Sequence, residues 1–296
     1  MYGEKRMEYQ WYPGHMTRAR RMMEENCKLV DLVIELADAR LPVSSRNPDI
    51  DRLCAGKSRI LILNKADLAD PERTEIYCRQ EEQRGVPVLP MDARKRAEVS
   101  GLRASVIRAC QSKIERDRKR GILNRPLRAM IAGIPNVGKS TLINSLVGKS
   151  SAKTGNKPGV TRGKQWITLN GNGRVIQLLD TPGILWPKFE DPKVGIRLAL
   201  AGAVNDDILD HEDLACRLLT YLQNRYPEII PERYGITVEE RNAAVLAERE
   251  QAADMLAAIG RRRGILKKGS EVDTVRTAAL LLDDFRSGRL GRISLE

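Results

Sequence analysis

Aromatic residues are scarce in this chain of 296 residues, 4% of the total with only two Phe, so a platform of stacked aromatics for holding unpaired bases is not expected. Histidine is scarcer still: His15 and His211 are the only two, and any imidazole chemistry must come from one of them. The five cysteines, Cys27, Cys54, Cys78, Cys110 and Cys216, include no Cys-x-x-Cys pair. That spacing indicates neither a zinc site nor a disulfide framework, and free thiols are expected. No apolar run approaches the length needed to cross a bilayer, and the first residues, Met1 to Glu8, are neither a signal h-region nor an acid-poor transit peptide. The expectation is a cytoplasmic protein with no membrane partner. Its length allows two ordinary domains, each with its own core.

What is abundant is positive charge. A net charge of +12 and a pI near 9.6 suit a polyanionic partner, because Lys and Arg neutralise phosphates and release counterions. Basic residues gather at Arg18, Arg20 and Arg21, at Lys113 to Arg120, and at Arg261 to Lys268. Any one such run reads equally as a solvated face. Three runs together with the overall charge favour RNA, read through phosphates and shape.

Apolar runs alternate with helical patterns, the signature of a mostly parallel sheet with helices on both faces. Strands are expected at Leu29–Ala37, Ile60–Leu63, Val86–Met91, Leu127–Ala132, Trp166–Leu169 and Val175–Leu179. A helix is expected from about Thr17 to Lys28, and one long helix from Glu98 to Arg120, stopped by Gly121. After Gly183 no β-rich run follows. Val272, Val275, Ala279 and Leu282 make one apolar helical face, and Ala244, Ala247, Leu256 and Ile259 another, closed by Gly260. The fold class is therefore α/β over residues 1–187, followed by a smaller all-α domain over 188–296, with the boundary in the proline-marked stretch near Pro187.

Residues 133–141 read Gly-Ile-Pro-Asn-Val-Gly-Lys-Ser-Thr between an expected strand and a helix beginning at Lys139. This is a P-loop: backbone N–H groups of Asn136, Val137, Gly138 and the following turn face phosphates, Lys139 reaches the β- and γ-phosphates, and Ser140, beside Thr141, offers a hydroxyl to Mg²⁺. Asp180-Thr-Pro-Gly183 closes a later strand, where Asp180 can hold the Mg²⁺ shell and the Gly183 N–H can meet the γ-phosphate. In the glycine-rich stretch between them Thr161 has two readings: a switch threonine completing the Mg²⁺ shell, or a cap on the next strand. Asn64-Lys65-Ala66-Asp67 follows another strand, at the carboxyl edge where ligands of such sheets bind. Asp67 can accept from guanine N1–H and the 2-amino group, Asn64 can meet the O6/N7 side, and the Lys65 stem can lie on the ring. Adenine lacks those donors, and losing two charged hydrogen bonds costs roughly 3–6 kcal/mol. Asp92-Ala93-Arg94 takes the place of the short loop whose backbone contacts O6. The ligand expected is GTP or GDP.

The guanine tetrad precedes its P-loop, the reverse of an ordinary GTPase. With this order the chain resembles the circularly permuted ribosome biogenesis GTPase A family. The resemblance covers nearly the whole length, from Trp11-Tyr-Pro-Gly-His-Met-Thr and Asp38-Ala-Arg-Leu-Pro, through the nucleotide motifs, to Gly260-Arg-Arg-Arg-Gly and Asp284-Phe-Arg-Ser-Gly. It implies a permuted P-loop GTPase domain, a helical RNA-binding domain, Mg²⁺-dependent GTP hydrolysis, and docking on a maturing large ribosomal subunit by a protein that is monomeric off the ribosome. Position 184, just after Asp-x-x-Gly, is Ile, which cannot orient water as Gln does in Ras. Slow intrinsic hydrolysis is therefore expected, stimulated by the large subunit, and the resemblance supplies His15 as the catalytic group. His15 reads alternatively as a helix-start residue that binds backbone or rRNA. Asn136 either helps hold K⁺ against the phosphates, as in some potassium-stimulated GTPases, or stabilises its loop. Two rival functions stand beside this one: a small-subunit assembly GTPase, and a passive rRNA-binding protein that uses GTP as a structural ligand.

Overall fold

The computed structural model describes residues 13–148, 165–169, 174–183, 191–206, 209–236 and 248–296, with side chains from 21, 166 and 250 onward in the elements at those starts. Six strands form one sheet: β1 (Leu32–Asp38), β2 (Ser58–Asn64), β3 (Val88–Met91), β4 (Leu127–Gly133), β5 (Gln165–Leu169) and β6 (Ile176–Asp180). Their order is β3-β2-β1-β4-β6-β5, parallel throughout except that β5 runs antiparallel to β6 at the edge. All seven residues of β1 are buried, as a central strand covered on both faces requires.

Period-two alternation sorts the side chains between layers. Leu32, Ile34 and Leu36 of β1 join Ile60, Ile62, Ile131 and Leu142 on one side. Val33 joins Met130, Ala132 and Leu179 on the other, under Met23 and Cys27 of α1 (Pro13–Leu29) and beside Ile50 of α2 (Asp49–Leu53). Ala37, Leu61, Leu63 and Val88 form a third cluster with Ala69, partly buried Tyr77 and Cys78 packed against it; those two belong to α3 (Pro71–Gln83). Burying each such Leu or Ile is worth about 1.5–3 kcal/mol.

The single helix expected over 98–120 is three: α4 (Arg96–Ser100), α5 (Leu102–Ala109) and α6 (Gln111–Lys119). Gly101 and Cys110 sit at the breaks, and the turn lets Val99, Leu102, Val106 and Cys110 all reach the sheet core. Gly121 ends the run at φ 77° as expected. The cysteine expectation also changes. Cys78, Cys110 and Cys216 are in no disulfide, but Cys27 and Cys54 are joined as one, with Cα atoms 5.6 Å apart. They meet because α1 and the end of α2 share the layer of Met130 and Leu179, a proximity no local spacing encodes.

Beyond α7 (Lys139–Val147) and β6 the described chain is helical: α8 (Pro192–Leu200), α9 (His211–Arg225), α10 (Ile229–Tyr234), α11 (Glu248–Arg262) and α12 (Thr274–Arg286). Asp191 and Asp210 cap α8 and α9 through their carboxylates. Leu214, Leu218 and Leu222 of α9 pack with Leu256 and Ile259 of α11 and Leu281, Leu282 and Phe285 of α12, and this apolar cluster is continuous with the sheet core. Two details differ from the sequence reading. The buried face of α12 is Thr277, Ala278, Leu281, Leu282 and Phe285, while Val275 is 51% exposed and Ala279 is also exposed. Gly260 does not stop α11, which continues to Arg262; a Cβ there would press on Val272 and Thr277, so this glycine serves close packing. His211 opens α9, as a residue among Asp210, Glu212 and Asp213 should. Among the described residues no helix is long and apolar enough to cross a membrane. The boundary placed near Pro187 falls outside the described residues, as do Ala244 and Ala247.

Candidate nucleotide-binding site

The loops after β2, β3, β4 and β6 meet at the carboxyl edge of the sheet, where ligands of open parallel sheets bind. The P-loop leaves β4 and turns into α7 through Gly138 at φ 103°, a conformation open to glycine. A Cβ at that position would also collide with the Asn64 amide. No side chain caps α7, so the amides of its first turn remain for an anion, with the helix dipole behind them. Lys139 is buried and donates to the carbonyls of Gly133 at 3.0 Å and Ile134 at 2.8 Å. Burial lowers its pKa to about 8, and the nearby Asp180 carboxylate partly offsets that.

Asp180 ends β6 and is 1% exposed. Thr181 donates to the Ile131 carbonyl at 2.7 Å, which fastens this turn to the P-loop strand. Gly183 comes so close that a Cβ would lie 2.8 Å from Pro135. Ser140 and Thr141 stand half-buried at the start of α7, and Thr141 lines the cleft. A buried carboxylate at the tip of the strand paired with the P-loop strand fits Mg²⁺, which binds through one or two protein oxygens plus substrate phosphates rather than an all-protein cage. Among the described residues there is no cluster of three or more His, Cys, Asp or Glu that could hold a metal ion.

Asn64 binds three loops together. Its Nδ2 donates to the Val137 carbonyl at 2.7 Å, and its Oδ1 accepts from the Ala93 N–H at 2.9 Å. The side chain expected at the O6/N7 side is therefore already a brace between tetrad, P-loop and the Asp92–Arg94 loop. Ser145 of α7 adds a bond to the Ala93 carbonyl at 2.6 Å. Lys65 sits at φ 60°, with its ammonium 3.0 Å from Asp38. Asp38 is buried and also takes Arg40 Nε at 2.9 Å and Nη2 at 2.8 Å. Burial opposes its charge, but Arg40 and Lys65 outweigh that and hold the carboxyl well below the usual carboxylate range.

Arg94 donates to Asp67 at 2.6 Å and to Asp92 at 2.9 and 3.0 Å, while the Arg94 N–H donates to Asp92 at 2.9 Å. The hydrogen bond to Arg94 lowers the Asp92 pKa. The other oxygen of Asp67, Oδ1, is buried and has no hydrogen-bond partner.

The cleft among these loops has a volume of about 880 Å³, and the helical unit forms part of its wall through Gly202, Asp206, Arg286 and Ser287. Asn136, at φ 56°, donates from Nδ2 to the Gly202 carbonyl at 2.7 Å. Arg286 pairs with Asp206 and caps the carbonyls of Ala199 and Leu200. These walls, and the Asp38–Arg40 anchor of Lys65, were not assigned from sequence. An acidic residue closing an apolar strand, as Asp180 does, was the available signal for Asp38. The side chain of His15, at the start of α1, and both Thr161 and Ile184 lie outside the described residues.

Known proteins bear on this geometry. The model of a family described as 50S ribosome-binding GTPase matches residues 128–257. Ribosome biogenesis GTPase A of Bacillus cereus is 43% identical over 290 residues, 98% of this chain and 94% of that protein. Mitochondrial ribosome-associated GTPase 1 of Mus musculus is 34% identical over 301 residues, 97% of this chain and 89% of that one. The GDP-bound structure of TM YlqF superposes with a TM-score of 0.63 at 26% identity, covering 93% of this chain and 98% of that one. A guanine-nucleotide site written in permuted order, shared along almost its full length with such relatives, places this chain in the ribosome biogenesis GTPase A family of GTPases that act in ribosome assembly.

Proposed function

We propose that the protein is a timer of large-subunit assembly. With GTP bound it docks on a late precursor of the large ribosomal subunit, and hydrolysis stimulated by that particle releases it. The observation that carries this reading is the shared cleft: the P-loop touches the helical unit through Asn136 and Gly202, so a change at the phosphates has a direct mechanical neighbour in the unit that would meet RNA. GTP and GDP shift that unit only as far as their contacts with its two states differ. We divide the chain into a GTPase domain, 1–187, and a helical domain, 188–296, that contacts rRNA and ribosomal proteins. Exposed Arg261, Arg262, Lys267 and Lys268 support phosphate contacts by the latter. The protein is monomeric off the ribosome and works in the cytoplasm.

Within the site, Asp67 reads guanine N1–H and the 2-amino group, the Lys65 stem covers the ring, and Lys139 with the first turn of α7 holds the phosphates. Ser140, Thr161 and Asp180 would hold Mg²⁺, which neutralises charge on the transferring phosphoryl group when bound. Asn136 helps hold K⁺ against the phosphates if that ion takes part. His15 orients the attacking water in place of the missing Gln. What supports that role is that α1, whose first turn holds His15, packs through Met23 and Cys27 on Met130, Ala132 and Leu179, the last of these next to Asp180 in β6.

Phosphate release by wild type and His15→Ala, each with and without purified large subunits, tests the proposal. Slow basal turnover that rises with large subunits and falls in the variant is expected. Equal rates with and without subunits would refute stimulation, and no turnover under any condition would leave a passive RNA binder.

A further inference from the structure

The loop that carries Asp67 is held from outside the GTPase domain. Its backbone between Lys65 and Asp70 offers three carbonyls and an amide that neither β2 nor α3 satisfies, and residues 292–294 meet all four. Arg292 Nε donates to the Ala69 carbonyl at 2.8 Å and Nη2 to that of Ala66 at 3.0 Å. The Ile293 N–H donates to the Leu68 carbonyl at 3.0 Å, and the Asp70 N–H donates to Ser294 Oγ at 3.1 Å.

The segment supplying these bonds is itself fixed at several points. Ile293, Ser294 and Leu295 are at most 3% exposed, and the Leu295 N–H donates to the Arg40 carbonyl at 2.7 Å. The Glu296 carboxylate accepts from the N–H of Val43 at 2.7 Å and of Ser44 at 3.0 Å, and from Arg197. Upstream, Gly288 at φ 80° lies against Leu68 so closely that a Cβ would be 2.5 Å from its Cδ2. Opposite this strap, Arg94 grips the Asp67 carboxylate.

We propose that Arg292, with the strap Leu290–Glu296, is a positioning element for guanine recognition: it fixes the backbone of the Asp67 loop so that the carboxylate meets N1–H and the 2-amino group together. The proposal rests on Asp67 being the guanine reader. Arg292 is exposed and its described bonds go only to that loop, so its truncation perturbs the loop rather than a core.

Calorimetric titration of wild type, Arg292→Ala and Arg292→Lys with GDP, IDP and inorganic tripolyphosphate provides the test. IDP lacks the 2-amino group, and tripolyphosphate engages the P-loop alone. In Arg292→Ala, GDP affinity should fall about tenfold, equivalent to roughly 1.4 kcal/mol, and the GDP-to-IDP ratio should narrow while tripolyphosphate binding holds. Arg292→Lys, which can reach one carbonyl, should fall between. GDP affinity and ratio within about twofold of wild type would overturn the proposal; so would an equal loss for all three ligands, which is the mark of general damage. A wild type without preference for GDP over IDP would instead overturn the reading of Asp67, and this proposal with it.

Discussion

Replacing Asp38 by Asn tests whether the buried charge cluster behind the guanine loop is as important as its geometry indicates. Asp38 faces both Arg40 and Lys65, at 2.8 and 3.0 Å, and Arg40 is 1% exposed. The amide would preserve shape but leave two neighbouring cations without a counter-charge. Removing one partner of a buried ion pair costs about 3–5 kcal/mol. Arg40 also lies over the Phe285 ring, 5.0 Å from its centre, and reaches the Phe285 and Arg286 carbonyls at 3.4 Å. Those contacts survive the substitution and place the expected loss nearer 3 than 5 kcal/mol, though still in that range.

Urea unfolding followed by circular dichroism at pH 7 measures the loss, and repetition at pH 3 separates charge from packing. The folded pKa of Asp38 is depressed, so its contribution is complete above the unfolded value near 3.9 and is lost as pH falls toward the folded value. At pH 3 the unfolded chain has gained about 0.9 unit of protonation advantage, worth about 1.2 kcal/mol at 1.36 per unit. The gap between wild type and variant should narrow by that amount. A loss under about 1 kcal/mol at pH 7, against the 3–5 expected of a broken buried pair, would refute the reasoning. A gap that does not change with pH would refute it too.

Other substitutions probe the remaining ties. Asn64→Ala strands a buried carbonyl on Val137 and an N–H on Ala93; a stability loss of about 2–4 kcal/mol in urea unfolding is expected, with weaker GDP binding by calorimetry. Lys139→Ala strands the Gly133 and Ile134 carbonyls and removes the cation beside buried Asp180; a stability loss of about 1–3 kcal/mol in urea unfolding is expected, and phosphate release should fall by roughly a hundredfold or more. Gly288→Ala sets a Cβ at positive φ against Leu68; a lower melting temperature, equivalent to roughly 1–3 kcal/mol, and faster GDP release by fluorescence are expected.

The parts legible in the sequence were contiguous. The P-loop, the guanine tetrad and Asp180–Gly183 each lie in an unbroken stretch after an apolar run, and the structure puts all three at one edge of the sheet. Strand ends moved by up to three residues, as when β1 began at Leu32 rather than Leu29, because α1 keeps its last turn through Leu29. What stayed hidden depended on distant partners. The purpose of Gly260 is a close approach to Thr277, and a glycine in a helical pattern reads equally as a stop. The brace role of Asn64 needs Val137, 73 residues later, and Arg292 finds Ala66 across 226 residues. Such pairs have no local signal.

That same distance has a consequence for how the site forms. In an unpermuted order the P-loop precedes the guanine tetrad along the chain, whereas here the tetrad, beginning at the last residue of β2, precedes β4 and its P-loop. Asn64 cannot bridge to Val137 until the sheet has grown from β1 to β4, and the Asp67 loop keeps open carbonyls until residues 292–294 arrive. Contacts of such separation carry a large loop-closure cost before they contribute. The P-loop and the Asp67 loop therefore depend on different distant contacts: the pairing of β4 with β1 for the first, and the strap for the second. A chain that loses the strap should keep the P-loop and lose the base, which is the separation that GDP and tripolyphosphate titrations resolve.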